Sequence, residues 1–126
     1  MVKVAGKHDA YLAVPPAGKA RKDVGILYIP DVLGIWINSQ LMADQFAANG
    51  YTCLIIDPFN GDALELNRPA DFNLMAWVTQ GRNGRGPHTY KEVDPIIEAA
   101  LAYMKGDLSC KKIGSAGYCF GAKVSF

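Results

Sequence analysis

The sequence has no CxxC or HxxxH pair and only three cysteines, at positions 53, 110 and 119. An odd, scattered set of thiols fits neither a disulfide framework nor a zinc site, so no metal is expected. No sign of charge is in excess either: 13 basic against 12 acidic side chains leave a net +1. Without a basic patch, nucleic acid and anionic membrane surfaces are not expected as partners. Apolar runs such as Gly25 to Pro30 and Cys53 to Ile56 are too short to cross a bilayer. The N-terminus lacks the apolar stretch of a secretory leader, so a reducing, cytoplasmic setting is expected. There is no internal repeat and no low-complexity tract.

What is present is half hydrophobic and one fifth charged over 126 residues, the composition of one globular α/β domain or part of one. Ala10 to Val14 reads as a strand ended by Pro15-Pro16. Val24 to Ile29 is a nearly continuous apolar run, as expected of a strand buried on both faces. Leu41, Met42, Phe46 and the alanines at 43, 47 and 48 suit an amphipathic helix that Gly50 ends. Tyr51 to Ile56 is a second β-rich run, stopped by Asp57-Pro58. Strand, helix and strand in this order form a βαβ unit, which predicts parallel strands and a right-handed crossover.

Residues 57–88 show no sustained period and are expected to form a long loop or lid, most mobile from Gly81 to Pro87. Val93, Ile96, Ile97, Ala100, Leu101 and Met104 then recur at helical spacing. Two starts are open for this helix: Thr89 with Glu92 as a capping box, or Asp94 as N-cap with Pro95 in the first position. Lys112 to Ala116 is a short strand running into Gly117.

That strand leads into Gly117-Tyr118-Cys119-Phe120-Gly121, which has the G-x-Nu-x-G form of a nucleophile elbow with cysteine as the nucleophile. The spacing has a physical origin. A sharp strand-to-helix turn strains the backbone at the nucleophile, and the small residues Gly117 and Gly121 let strand and helix approach closely. The thiol of Cys119 then lies at a helix N-terminus, whose partial positive charge favours thiolate. The backbone N–H of Phe120 would point into an oxyanion hole. Cys53, inside an apolar strand, reads as an inert core thiol, and Cys110, beside Lys111, as an exposed one.

The segment Gly117-Tyr118-Cys119-Phe120-Gly121-Ala122-Lys123 resembles the cysteine elbow of the dienelactone hydrolase family, in particular its fungal branch. Pro30-Asp31-Val32-Leu33-Gly34, Ala43-Asp44-Gln45-Phe46-Ala47, Gly50-Tyr51 and Asp57-Pro58-Phe59-Asn60-Gly61-Asp62 continue the resemblance in the same order. It implies the N-terminal half of a single α/β-hydrolase domain, with a doubly wound, mostly parallel sheet cut after the elbow. It also implies a hydrolase of small-molecule esters or lactones that needs no cofactor. By the same resemblance, the N–H of Val32 is the second oxyanion donor. Asp31 stands where bacterial members carry a glutamate that interacts with the resting thiol, and is one methylene shorter.

The family's triad acid and histidine follow the nucleophile in the chain, whereas His8 and His88 precede Cys119 and are poorly placed as bases. The 126 residues alone are therefore expected to be inactive and to need the remainder of the domain or a partner chain. Phe59, Trp77 and Tyr118 are candidate pocket walls. Arg82 and Arg85 either meet a substrate carboxylate or lie in a solvated loop. Two other readings stand beside the hydrolase. One is a non-catalytic fragment or interaction piece. The other is a nucleotide-binding α/β domain, which the spacing GxxGxxxG of Gly114, Gly117 and Gly121 disfavours.

Overall fold

In a computed structural model the chain is described over residues 1–18 and 23–117. Five strands form one sheet in the order β1-β2-β4-β3-β5. They are β1 (Val2–Val4), β2 (His8–Ala13), β3 (Val24–Ile29), β4 (Thr52–Ile56) and β5 (Lys112–Gly117). The helices are α1 (Ile37–Ala48), α2 (Leu74–Gln80) and α3 (Tyr90–Gly106). β3 pairs parallel with β4 and with β5, while β1–β2 and β2–β4 are antiparallel. The expected parallel pair is thus present, with an antiparallel hairpin added at one side.

The core shows why β3 and β4 read as continuous apolar runs. Successive side chains of a strand point to opposite faces, and a helix covers each face here. Leu54 and Ile56 of β4, with Leu27 and Ile29 of β3, pack under Ile96, Ala100 and Met104 of α3. The alternate residues Cys53, Ile55 and Tyr28 pack under Ala43 and Ala47 of α1. A strand with both faces covered has no polar face to show, so the two-residue period vanishes from its sequence.

Thr89 is the N-cap of α3, with the Thr89 N–H donating to Glu92 Oε1, so the capping box sets its start and Pro95 lies inside the helix. Pro95 and Lys91 are both exposed, which leaves the Lys91 carbonyl, deprived of its helical donor, on the solvent side. α1 begins four residues before its first apolar pair because Ser39 organises the turn. Its buried hydroxyl accepts from Trp36 N–H at 2.9 Å and lies 3.0 Å from the Gly34 carbonyl. No described helix is long and apolar enough to cross a membrane.

Two expectations need correction. The segment 57–88 is not all loop, since Asn73 caps the seven-residue helix α2 by accepting from Ala76 N–H. Within that segment Gly81 meets Gly86 closely, since a Cβ on Gly81 would lie 2.3 Å from the Gly86 backbone, and Arg82 is ion-paired. Cys110 is buried, 5% exposed, because the turn after α3 folds its thiol under β3 despite its polar neighbours.

Candidate active site

The parallel ladder between β3 and β5 fixes where a reaction centre would lie. Ile29 is in register with Gly117, so both strands reach their C-terminal ends together. Ligand sites of open α/β sheets lie outside those ends. The loop from Pro30 to Gly34 therefore leaves the sheet directly beside the C-terminal end of β5, which the Tyr118-Cys119 segment follows in the sequence. Of the G-x-Nu-x-G segment expected to form the elbow, Gly117 is described and half-buried. Tyr118, Cys119, Phe120 and Gly121 lie outside the described residues.

The loop after β3 is a tight turn. Asp31 accepts from Leu33 N–H on Oδ1 at 3.0 Å, and its carbonyl accepts from Gly34 N–H at 2.9 Å. One carboxylate oxygen of Asp31 is thus engaged in shaping the turn that carries Val32. Gly34 has φ +67° and a Cβ there would sit 2.8 Å from Ala63 Cβ, so a side chain is excluded on both counts.

Ala63 belongs to the second loop of the site, after β4. Asp57 opens it by accepting from Phe59 N–H at 2.9 Å and Gly61 N–H at 2.8 Å. The two loops are joined directly, because Leu64 N–H donates to the Val32 carbonyl at 2.8 Å. Val32 and Leu33 pack on a cluster of Phe59, Leu64 and Trp77. Phe59 and Trp77, expected as pocket walls, are 0% and 2% exposed and occupy interior packing positions. Their rings approach to 5.0 Å between centroids.

Behind this cluster lies a polar centre in which Asp62, Arg82 and His88 are paired, a pairing that the sequence does not announce. Asp62 is 2% exposed and accepts from Arg82 Nε on Oδ1 at 2.7 Å, from Arg82 N–H on Oδ2 at 2.9 Å, and from His88 Nε2 on Oδ2 at 2.7 Å. Burial pushes the Asp62 carboxyl upward, but the hydrogen bonds from His88 and Arg82 and the guanidinium charge outweigh it and hold the group below its ordinary value. An ionised carboxylate only accepts, so the His88 tautomer carries its proton on Nε2. The ring of His88 packs on Trp77 at 4.6 Å and on Phe59 at 5.5 Å. It is 1% exposed, a setting that suits a structural pairing rather than a solvent-facing base.

Arg82 also reaches Glu65 at 3.2 Å and the Ala63 carbonyl at 3.0 Å, so its guanidinium is committed within the loop. Arg85 is exposed, donates to the Gly61 carbonyl at 2.9 Å, and lines an open cleft of about 480 Å³ with Lys7 and His8. That cleft adjoins the start of β2, on the far side of β4 from β5. Among the described residues, no group of three or more His, Cys, Asp or Glu side chains is placed to hold a metal. Cys53 is fully buried, and burial pushes its thiol up to about 12, which makes it a poor nucleophile.

These features agree with the chain's similarities. The model of the dienelactone hydrolase family matches residues 8–126. The hydrolase tropI of Talaromyces stipitatus is 40% identical over 117 residues, covering 91% of this chain and 45% of that protein. The hydrolase pyvD of Aspergillus violaceofuscus is 37% identical over 94% of this chain and 45% of its own length. A carboxymethylenebutenolidase homolog of Rattus norvegicus is 33% identical over 91% of this chain and 43% of its own. A solved structure titled m3DLH aligns with 94% of this chain and 52% of its own, at 15% identity and a TM-score of 0.44. The chain thus spans about half the length of the curated relatives it matches. With its α/β sheet covered by helices on both faces, the chain belongs to the dienelactone hydrolase family.

Proposed function

We propose that the complete protein hydrolyses an ester or lactone of a small molecule through a thioester at Cys119. The observation that carries this reading is the register of Ile29 with Gly117, which sets the Asp31–Val32 turn beside the strand leading to the cysteine. Family membership supports the hydrolytic class. The name of the rat relative, a carboxymethylenebutenolidase homolog, supports a lactone among the substrates.

The Cys119 thiolate attacks the carbonyl carbon, and the oxyanion formed accepts from the backbone N–H groups of Val32 and Phe120. Collapse breaks the acyl C–O bond, and the leaving oxygen takes up a proton to become a free hydroxyl. Water then attacks the thioester, releasing the acid and restoring the thiol. No metal or organic cofactor enters these steps. A nucleophilic thiol must stay reduced, which favours the cytoplasm. Tyr118 follows β5 and would face the substrate, while Phe59 and Trp77 support the loop from behind.

The triad acid and histidine belong to the remainder of the domain, as the nucleophile-acid-histidine order of the fold requires. β5 is the outer strand of the described sheet, where further strands of that domain would pair. On this reading residues 1–126 alone do not turn over substrate. The test is Cys119→Ala in the full-length protein, assayed on an aryl ester and a small enol lactone. Loss of a triad nucleophile costs several orders of magnitude in rate. Unchanged turnover in the variant would refute the assignment.

A further inference from the structure

Two loops meet at the C-terminal ends of β3 and β4, and what fixes the second also fixes the first. The turn of Pro30 to Gly34 has no helix or strand of its own. Its position is set from the loop after β4, through the bond from Leu64 N–H to the Val32 carbonyl and the close approach of Gly34 to Ala63. Ala63 and Leu64 directly follow Asp62, whose carboxylate takes three hydrogen bonds and whose carbonyl accepts from Trp77 Nε1 at 3.0 Å. The Arg82 guanidinium additionally clamps the Ala63 carbonyl.

We infer that Asp62, gripped by Arg82 and His88, is a positioning residue that aims the Val32 N–H at the oxyanion. This rests on the proposed role of Val32 and extends it to Asp62, 30 positions further along the chain. The Val32 carbonyl held by Leu64 lies on the peptide after the one that carries the Val32 N–H. Leu64 thus ties to the second loop a turn that Asp31 and the contacts of the Gly34 carbonyl already brace from within. Oxyanion stabilisation depends steeply on such placement, because the donor must meet a charge that develops only in the transition state.

The chemistry of the two reactions a thiol can undergo separates this role from a general loss of structure. Ester hydrolysis builds an oxyanion; alkylation by iodoacetamide displaces iodide and builds none. In the full-length protein, Asp62→Asn is expected to lower kcat by about 10- to 100-fold with KM nearly unchanged. The rate at which iodoacetamide alkylates Cys119 should stay within about twofold of wild type, since thiolate and access are untouched. Arg82→Gln should show the same split to a smaller degree, and Arg82→Lys should recover part of it. If Asp62→Asn does not fold, Arg82→Gln decides alone.

A folded variant with wild-type kcat overturns the inference. So does a parallel fall in alkylation, which would mean that the pair acts on the thiol or on the fold as a whole. Failure of the underlying mechanism looks different: Cys119→Ala would then retain turnover whatever Asp62 does.

Discussion

Gly25 lies in the middle strand of the parallel set, opposite Thr52 on one side and Ile113 on the other. Its missing side chain points toward α3, where a Cβ would lie 2.6 Å from Cys110 Sγ and 2.8 Å from Met104 Cε. These contacts differ in how readily they give. Met104 Cε ends a flexible chain that can swing away. Cys110 is held by its own N–H, which donates to the Met104 carbonyl at 2.9 Å, and its thiol has one bond to rotate about. The clash with sulfur should therefore set the cost of Gly25→Ala. Overpacking of this kind destabilises by about 1–3 kcal/mol. Reduced freedom of the unfolded chain offsets about 0.4–1 kcal/mol of that.

The net expectation is a loss of about 1–2 kcal/mol, measured by urea unfolding of the full-length protein. Cys110→Ala removes the sulfur and leaves the Cys110 Cβ at 3.5 Å, an ordinary contact. In the Cys110→Ala background, Gly25→Ala should thus cost far less, giving a favourable coupling of about 1 kcal/mol or more. A neutral Gly25→Ala, or additive single and double variants, would refute the packing described for this side of the sheet.

Asp62 makes stability dependent on acid. Its folded-state pKa is depressed, so its contribution is present above the unfolded value and is lost as pH falls through the folded one. Thermal unfolding followed from pH 7 downward should weaken below about pH 4, and Asp62→Asn should flatten that part of the curve. A variant as acid-sensitive as wild type would assign the loss to other carboxylates. Thiol labelling gives a separate check: at pH 7 an alkylating agent should modify Cys119 and leave Cys53 untouched until denaturant is added, as read by peptide mapping. Labelling of native Cys53 would contradict its burial and its thiol at about 12.

Legibility in the sequence followed the distance over which each feature is determined. β3 was readable to the residue, because burial on both faces writes a nearly continuous apolar run between Asp23 and Pro30. α3 was readable from its spacing, though two starts remained open until Thr89 proved to be the cap. The start of α1 was hidden, since Ile37 and Asn38 are exposed and the organising bond runs from Ser39 back to the preceding turn. β1 spans only three residues, and its pairing partner β2 begins four residues later. In the candidate site, Gly117, Cys119 and Gly121 form a local sequence pattern, of which only Gly117 falls among the described residues.

The pairing of Asp62 with Arg82 and His88 was not visible, because the bonds that join them run 20 and 26 residues along the chain. Each of the three sits among glycines, asparagines and prolines that read as solvated loop. A charged residue gives no sign in sequence of whether water or a distant partner will satisfy it. Phe59 and Trp77 pack on the His88 ring, and Asp62 beside it is 2% exposed with protein donors on both carboxylate oxygens. Once dry, the carboxylate must be fully hydrogen-bonded or the loop would not hold. The aromatic residues that sequence suggested as walls for a substrate thus act one layer further back. They pack on the His88 ring that holds Asp62, and Asp62 anchors the loop whose Leu64 N–H is bonded to the Val32 carbonyl.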